Sequence, residues 1–260
     1  MNYTRLKYEL RGQVAIVALN DPATLNAVSE AMGEELLQAV DHAQLRARAL
    51  VIMTTSRAFC SGANLATGRF DLSDPQRDAG AGLETLFNPL LLRLRDSRIP
   101  VLTAVRGAAA GIGASIALFA DVIVAAESAY FYMAFSRVGL VPDGGAAYLL
   151  SRSVGRVRAM EMMLLGEKLP ARKAFEWGLV TRVVPDEELD ATALQLATQL
   201  AQGPRSLGMI RQAAWEALDL DLQEQLTRER CLQCSAGRTA DFVEGVSAFR
   251  EKRAAVFKGK

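Results

Sequence analysis

Between residues 3 and 126 short apolar runs alternate with segments of helical period, and no other feature of the sequence constrains the fold as tightly. "YTRLKYEL" and "VAIVALN" read as β-strands on either side of the turn "RGQ". "SEAMGEELLQAVDHA" spaces its apolar residues as a helix does, with Ser29 placed to cap its first turn. "ALVIMTT", "VLTAV" and "VIVAA" are short buried strands, and "LETLFNPLLLRLRDS" and "AAGIGASIALFA" are the helices between them. Strands separated by helices in this order require crossover connections, hence an α/β fold. Past residue 150 the character changes, and "GRVRAMEMMLLG", "PARKAFEWG", "DEELDATALQLATQLAQG", "PRSLGMIRQAAWEAL", "LDLQEQLTRERCLQC" and "TADFVEGVSAFREKRAAVF" all read as helices. The expected organisation is an α/β core over residues 1–200 and a helical region over 201–260. "ATGRFDLSDPQRDAGAG" has no period and carries Gly, Asp and Pro, so it reads as a loop.

Composition narrows the chemistry. Thirty Lys+Arg against 29 Asp+Glu give no basic excess for a nucleic-acid partner. The longest apolar run, "IALFADVIVAA", is broken by Asp121 and is too short to cross a bilayer. "MNYTRLKYEL" has no apolar signal core, and three cysteines fit a reducing compartment, so a cytoplasmic protein is expected. Cys231 and Cys234 stand alone as a C-x-x-C pair and read as two thiols on a helix rather than a metal or redox site. The single histidine, His42, sits at an apparent helix end among polar residues and reads as a surface side chain, which leaves no His-based triad and no His-rich metal site.

Two segments place glycine beside a helix start or a sharp turn. In "FCSGANL", Gly62 lets the chain turn after a strand; in "AAAGIGASIALF", Gly111 and Gly113 flank Ile112 where a helix opens. The first amides of a helix lack internal acceptors and lie at its positive end. Two such amides aimed at one point can hold an oxyanion, although a G-x-G at a helix start is more often there for close packing. In "GLVPDGG", Asp143 either caps the helix that follows or serves as a base, and on spacing alone both readings stay open.

"RAFCSGANL", "AVRGAAAGIGASIALFADVIVAAESAYFYMAFSRVGLVPDGG", "AMEMMLLGEKLPARKAFEWGLVTRVV" and "VEGVSAFREKRAAVFKGK" occur in an order that resembles the enoyl-CoA hydratase/isomerase (crotonase) family, from "LNDPATLNAVS" to the C-terminus. The wording is most similar to the branch of ring-epoxyphenylacetyl-CoA and enoyl-CoA isomerases. The resemblance implies an α/β fold with a ββα-superhelix core, a helical C-terminal trimerisation region, homotrimers or paired trimers, and acyl-CoA thioesters as substrates with no separate cofactor. It implies that the backbone N–H groups of Ala63 and Ile112 hold the thioester oxygen, with Gly62, Asn64, Gly111 and Gly113 shaping that hole. Phe70, Leu86, Phe87, Leu90, Phe135 and Val138 are candidates to line the acyl pocket, and Ala58, Phe249 and Lys252 to meet coenzyme A, the last two in a neighbouring subunit.

The departures from the family pattern bear on the reaction. Family hydratases carry two glutamates, and the matching positions here are Ser115 and Phe135, neither of which is a base. Asp143 matches the position where isomerase branches keep their one acid, so the resemblance implies an isomerase with Asp143 as proton shuttle. A hydratase or another CoA-thioester reaction is the first alternative; a dehalogenase would pair that aspartate with Trp where Phe135 stands. The second alternative is a scaffold that binds a partner without catalysis.

Overall fold

The computed structural model describes residues 3–65 and 71–260, so Phe70 lies outside the described residues. Strands β1 (Leu6–Arg11), β2 (Val14–Leu19), β3 (Ala49–Thr54), β4 (Val101–Val105), β6 (Val122–Ala126) and β9 (Arg182–Val184) form one sheet in the order β1-β2-β3-β4-β6-β9. Among the described residues of this sheet, β1 and β2 pair antiparallel and the other strands pair parallel. A smaller sheet joins β5 (Ala108–Ala110), β7 (Tyr130–Tyr132) and β8 (Lys168–Pro170).

The central strands are buried throughout and, Thr54 and Thr103 apart, apolar, because the large sheet is covered on both faces, as parallel sheets are. Ala15, Val17 and Leu19 of β2 face a core shared with helices α1 (Glu30–Arg46), α2 (Asn88–Arg95) and α3 (Ile112–Leu118). Val14, Ile16 and Ala18 face the other way, against α7 (Leu189–Ala201). Helix α7 meets the sheet through Leu189, Ala193, Ala197 and Ala201, four residues apart and mostly small, so its axis packs close. The expected cap is present: Ser29 Oγ accepts the Met32 N–H at 3.3 Å.

The α/β architecture is built as strand–strand–helix units. Strand β4 lies in the large sheet, β5 in the small one, and α3 follows; β6, β7 and α4 (Ala146–Ser153) repeat the pattern. The region past residue 150 is not purely helical. Strand β8 separates α5 (Arg156–Leu165) from α6 (Ala171–Glu176), and β9 adds an edge to the large sheet before α7. Three residues show no hydrophobic period, which is why β5, β7, β8 and β9 escape a reading by pattern.

Helices α8 (Ser206–Glu216), α9 (Leu222–Ala236) and α10 (Ala240–Glu251) complete the chain. The helix expected through residue 257 stops at Glu251, and the tail folds back on α10. There the Asp241 carboxylate accepts the Lys258, Gly259 and Arg205 N–H groups at 2.7–2.8 Å, and Glu244 accepts that of Val256. His42 lies within α1 rather than at its end, with its ring edge-on to Tyr8 at 5.1 Å. Among the described residues no helix is long and apolar enough to cross a membrane.

Candidate active site

The segments that follow β3, β4 and β6 leave the carboxyl ends of parallel strands, where open α/β sheets place their ligands. After β3, residues 58–64 run between two neighbours. Cys60 pairs with the segment of β5, donating to Ala108 O and accepting from Ala110 N–H, both at 2.9 Å. On the other side Val28 N–H donates to Gly62 O at 2.8 Å and Asn64 N–H donates to Val28 O at 3.1 Å. Gly62 has φ +108°, open to glycine, and this turns its carbonyl toward Val28. In a trans peptide the N–H points opposite to the C=O, so the Ala63 N–H is aimed away from Val28.

After β4, Gly111 at φ +49° precedes the first residue of α3. Its carbonyl accepts the Ala114 and Ser115 N–H groups, so the Ile112 N–H points backward out of the helix. Among the described residues neither the Ala63 nor the Ile112 N–H has an acceptor. The two glycines touch: a Cβ on Gly111 would stand 3.8 Å from Gly62 Cα and 3.7 Å from Phe135 Cζ. Gly113 is of the packing kind, because a Cβ there would lie 2.5 Å from Cys60 Sγ. The Cys60 thiol is fully buried, and burial pushes its pKa up to about 12, so it packs and does not react.

After β6 and β7 the chain descends onto α3 at Asp143–Gly144. A Cβ on Gly144 would fall 2.4 Å from Ile112 Cδ1 and 3.0 Å from Ser115 Oγ, so this turn lies directly against the residue that carries the second amide. The two readings of Asp143 now separate. Helix α4 has Gly145 at its cap and no side-chain cap bond; Asp143 supplies only its carbonyl, to Ala146 N–H at 3.0 Å. Its carboxyl Oδ1 is shielded from water and has no hydrogen-bond partner among the described residues. Burial without a compensating cation or donor raises its pKa to about 6.

Asp143, Ala63, Asn64 and Phe87 line one cavity of about 330 Å³, together with Val28 and Leu140. Glu30 and Asp78 also border it, but both are exposed, and Asp78 is committed to the Gly80 N–H at 2.7 Å. Asp143 is therefore the carboxylate that this cavity draws away from water, while Glu30 and Asp78 stand at its rim.

Other expected positions fall elsewhere. Phe135 is buried with its ring against Gly111, beside the glycine pair rather than on the cavity wall. Leu90 is 1% exposed and belongs to the core, and Leu86 fills the space that Gly33 leaves open on α1. Val138 is 54% exposed and is not among the residues that line this cavity. Ala58 is buried, its carbonyl taken up by Asn26, Thr54 and Ser56. Phe249, 85% exposed, and Lys252, the left-handed cap of α10, are away from the cavity of their own chain.

Sequence reading missed Val28, which fixes the Ala63 peptide, and Asn26, whose buried amide gathers the loop ahead of it. A signal was present in "TLN", since asparagine is the residue that most readily accepts left-handed backbone after glycine. A further cavity, about 410 Å³ between α2 and α8, is rich in arginine, but the buried one, Arg211, is fully engaged with Asp121 and backbone carbonyls.

The chain matches the family described as enoyl-CoA hydratase/isomerase over residues 9–260. It is 44% identical over 250 residues, 95% of either protein, to a 1,2-epoxyphenylacetyl-CoA isomerase of Escherichia coli (strain K12). It is 41% identical over 265 residues, 100% of either protein, to a protein of Rhodobacter capsulatus named "probable enoyl-CoA hydratase". The crystal structure of an enoyl-CoA hydratase from Polaromonas sp. JS666 superposes with a TM-score of 0.88 at 32% identity, covering 97% of this chain and 99% of that one. The fold expected from the resemblance is the fold the chain adopts, and the chain is an enzyme of the enoyl-CoA hydratase/isomerase family.

Proposed function

We propose that this enzyme isomerises an acyl-CoA thioester, moving a C=C bond or opening and expanding a ring-derived epoxide, with Asp143 as the only proton shuttle. One observation carries the reading: a carboxylate and a backbone N–H, each without a hydrogen-bond partner among the described residues, share one cavity. The Ala63 and Ile112 N–H groups receive the thioester oxygen. As the α-proton leaves, charge grows on that oxygen and the two donors stabilise it more than they stabilise the ground state. Asp143 takes the proton from one allylic carbon and returns it to the other. A shift of this kind moves one proton within the substrate and consumes neither water nor a redox partner.

The positions of the two hydratase glutamates support the same reading. Ser115 is fully buried, with its hydroxyl 3.4 Å from the Asp143 carbonyl, and Phe135 packs on Gly111. Neither can activate water. The first relative above is named an isomerase and the second a hydratase. Association of the chain with copies of itself through α8–α10 belongs to the same proposal.

The test is Asp143→Asn. It keeps the shape and removes the base, so isomerase kcat is expected to fall at least about 100-fold with acyl-CoA binding and circular dichroism unchanged. Near wild-type turnover in that variant would remove Asp143 from the mechanism. Rapid loss of the conjugated-thioester absorbance of crotonyl-CoA would instead make the enzyme a hydratase.

A further inference from the structure

Asn26 is fully buried and held at φ +57°, directly after Leu25 at φ +55°. Two consecutive non-glycine residues in the left-handed region persist only where the surroundings over-determine them. The surroundings here are the loop that leads to Ala63. Asn26 Nδ2 reaches four oxygens: Thr54 Oγ1 at 2.8 Å, Ser56 Oγ at 3.1 Å, Ala58 O at 2.9 Å and Phe59 O at 3.1 Å. Its Oδ1 accepts the Asp21 N–H at 2.8 Å. Thr54 Oγ1 and Ser56 Oγ add their own bonds to Ala58 O, so the network closes on one carbonyl.

The backbone on either side is zipped to the same loop. Leu25 O accepts Ser61 N–H at 3.1 Å, Thr24 O accepts Ser61 Oγ–H at 3.0 Å, and Val28 brackets Ala63 through its bonds to Gly62 and Asn64. Residues 24–28 therefore form a template on which residues 58–64 are laid, and the Asn26 amide is its fastening. A buried amide that holds the Ala58 and Phe59 carbonyls directly, and Ala58 again through Thr54 and Ser56, fixes the start of this loop and so the direction of the Ala63 N–H.

We propose that Asn26 is a positioning residue for catalysis, acting through the 58–64 loop to aim the Ala63 N–H at the thioester oxygen. This rests on the reading of Ala63 and Ile112 as oxyanion donors, and it holds whether the reaction is isomerisation or hydration.

The experiment reads the hydrogen bond rather than the turnover alone. Hexanoyl-CoA labelled with carbon-13 at the thioester carbonyl is bound to the protein, and its C=O stretch is measured by difference infrared spectroscopy. In the wild type the band is expected below its frequency in free hexanoyl-CoA. Asn26→Gly keeps the backbone free to hold a positive φ and removes only the side chain; Thr54→Val removes one arm of the network and is the milder change. In both, the band is expected to move back toward the free value and to broaden. The kcat is expected to fall roughly 10- to 100-fold, the penalty of a misplaced donor, with KM within about threefold of wild type. Leu189→Ala, in the core on the opposite face of the sheet, controls for lost stability and should leave the band unmoved. A folded Asn26→Gly or Thr54→Val protein with the wild-type band and kcat overturns the proposal, whatever its melting temperature. If Asn26→Gly does not fold, Thr54→Val decides alone. A wild-type band at the free frequency overturns the oxyanion reading itself, and Asn26 falls with it.

Discussion

Asp143 is ionised near neutral pH inside a site that gives its charge little in return, and this has opposite consequences for stability and for rate. Its folded pKa, about 6, lies above the ordinary value of 3.8. Below the ordinary value the carboxyl is protonated in both the folded and unfolded chain and has no effect. Between the two values the folded chain holds a proton that the unfolded chain releases, so stability falls as pH rises. Above about 6 the full cost is present, on the order of 3 kcal/mol at most. Asp143→Asn is therefore expected to raise the melting temperature at pH 7.5, by an amount that vanishes near pH 4, while removing activity. Equal melting temperatures at both pH values would show that the carboxylate is solvated after all. In the wild type, kcat/KM is expected to lose activity below pH 6 as the base is protonated, a limb absent from Asp143→Asn. Asp143, Gly62 and Gly111 were readable as candidates because carboxylate and glycine each announce a chemistry or a backbone freedom. Asn26 announced at most a left-handed backbone, and its role lies in partners about thirty positions further along. Val138 and Leu90 show the converse, since an apolar residue type does not say whether it faces a cavity, the core or water.

Elements are joined in this protein by a few polar contacts whose partners lie far apart in sequence. Arg211 of α8 is 5% exposed and lies across the C-terminal end of α2, where it donates to Leu94 O, Arg95 O and Ser97 O. Its Nε–H meets Asp121 Oδ2 at 2.7 Å, and the same carboxylate oxygen takes the Val101 N–H at the start of β4. Trp215, one turn further along α8, stacks on Phe119 with ring centroids 5.4 Å apart. The last carbonyls of α2 have no partners within the helix, so Arg211 caps them and ties helix to strand at once. Removing it takes the guanidinium from Asp121, which keeps the Val101 N–H, and takes a donor from three carbonyls at the end of α2. Arg211→Ala is expected to destabilise the fold by about 2–3 kcal/mol through the lost charge-assisted hydrogen bonds, and Arg211→Lys to recover little, because a point charge cannot span that fork of acceptors. Urea unfolding of both variants measures this, and a loss under 1 kcal/mol for Arg211→Ala would mean that water replaces the guanidinium. Nothing in the sequence marks Arg211 among thirty basic residues, since its partners lie 90 or more positions away. The long elements were readable because burial on two faces writes continuous apolar runs into β2, β3 and β4, and a capped amphipathic pattern into α1.

At the scale of the whole molecule, the α8–α10 region carries more apolar side chain than a water-facing surface needs. Ile210, Leu222, Leu226, Phe242, Val243 and Phe249 are each more than half exposed. Isolated exposed apolar residues are ordinary, but a group of them on consecutive helices is the mark of a surface that is covered in solution. The proposed occupant is another copy of this chain, and the near-balance of 30 Lys+Arg against 29 Asp+Glu leaves little net repulsion between copies. Sedimentation equilibrium of the full chain at micromolar concentration is expected to give a mass of three subunits or a multiple of three. Leu222 and Leu226 are one turn apart on α9, 75% and 56% exposed, so Glu at both positions should leave the fold intact. Burying these carboxylates at a subunit contact would oppose association, and the double variant is expected to sediment as a smaller species with unchanged circular dichroism. A wild-type protein that sediments as a monomer would remove self-association from the proposal. It would also end any expectation that Phe249 and Lys252, remote from the cavity of their own chain, serve a neighbour's, because such a role exists only if a second subunit brings them there.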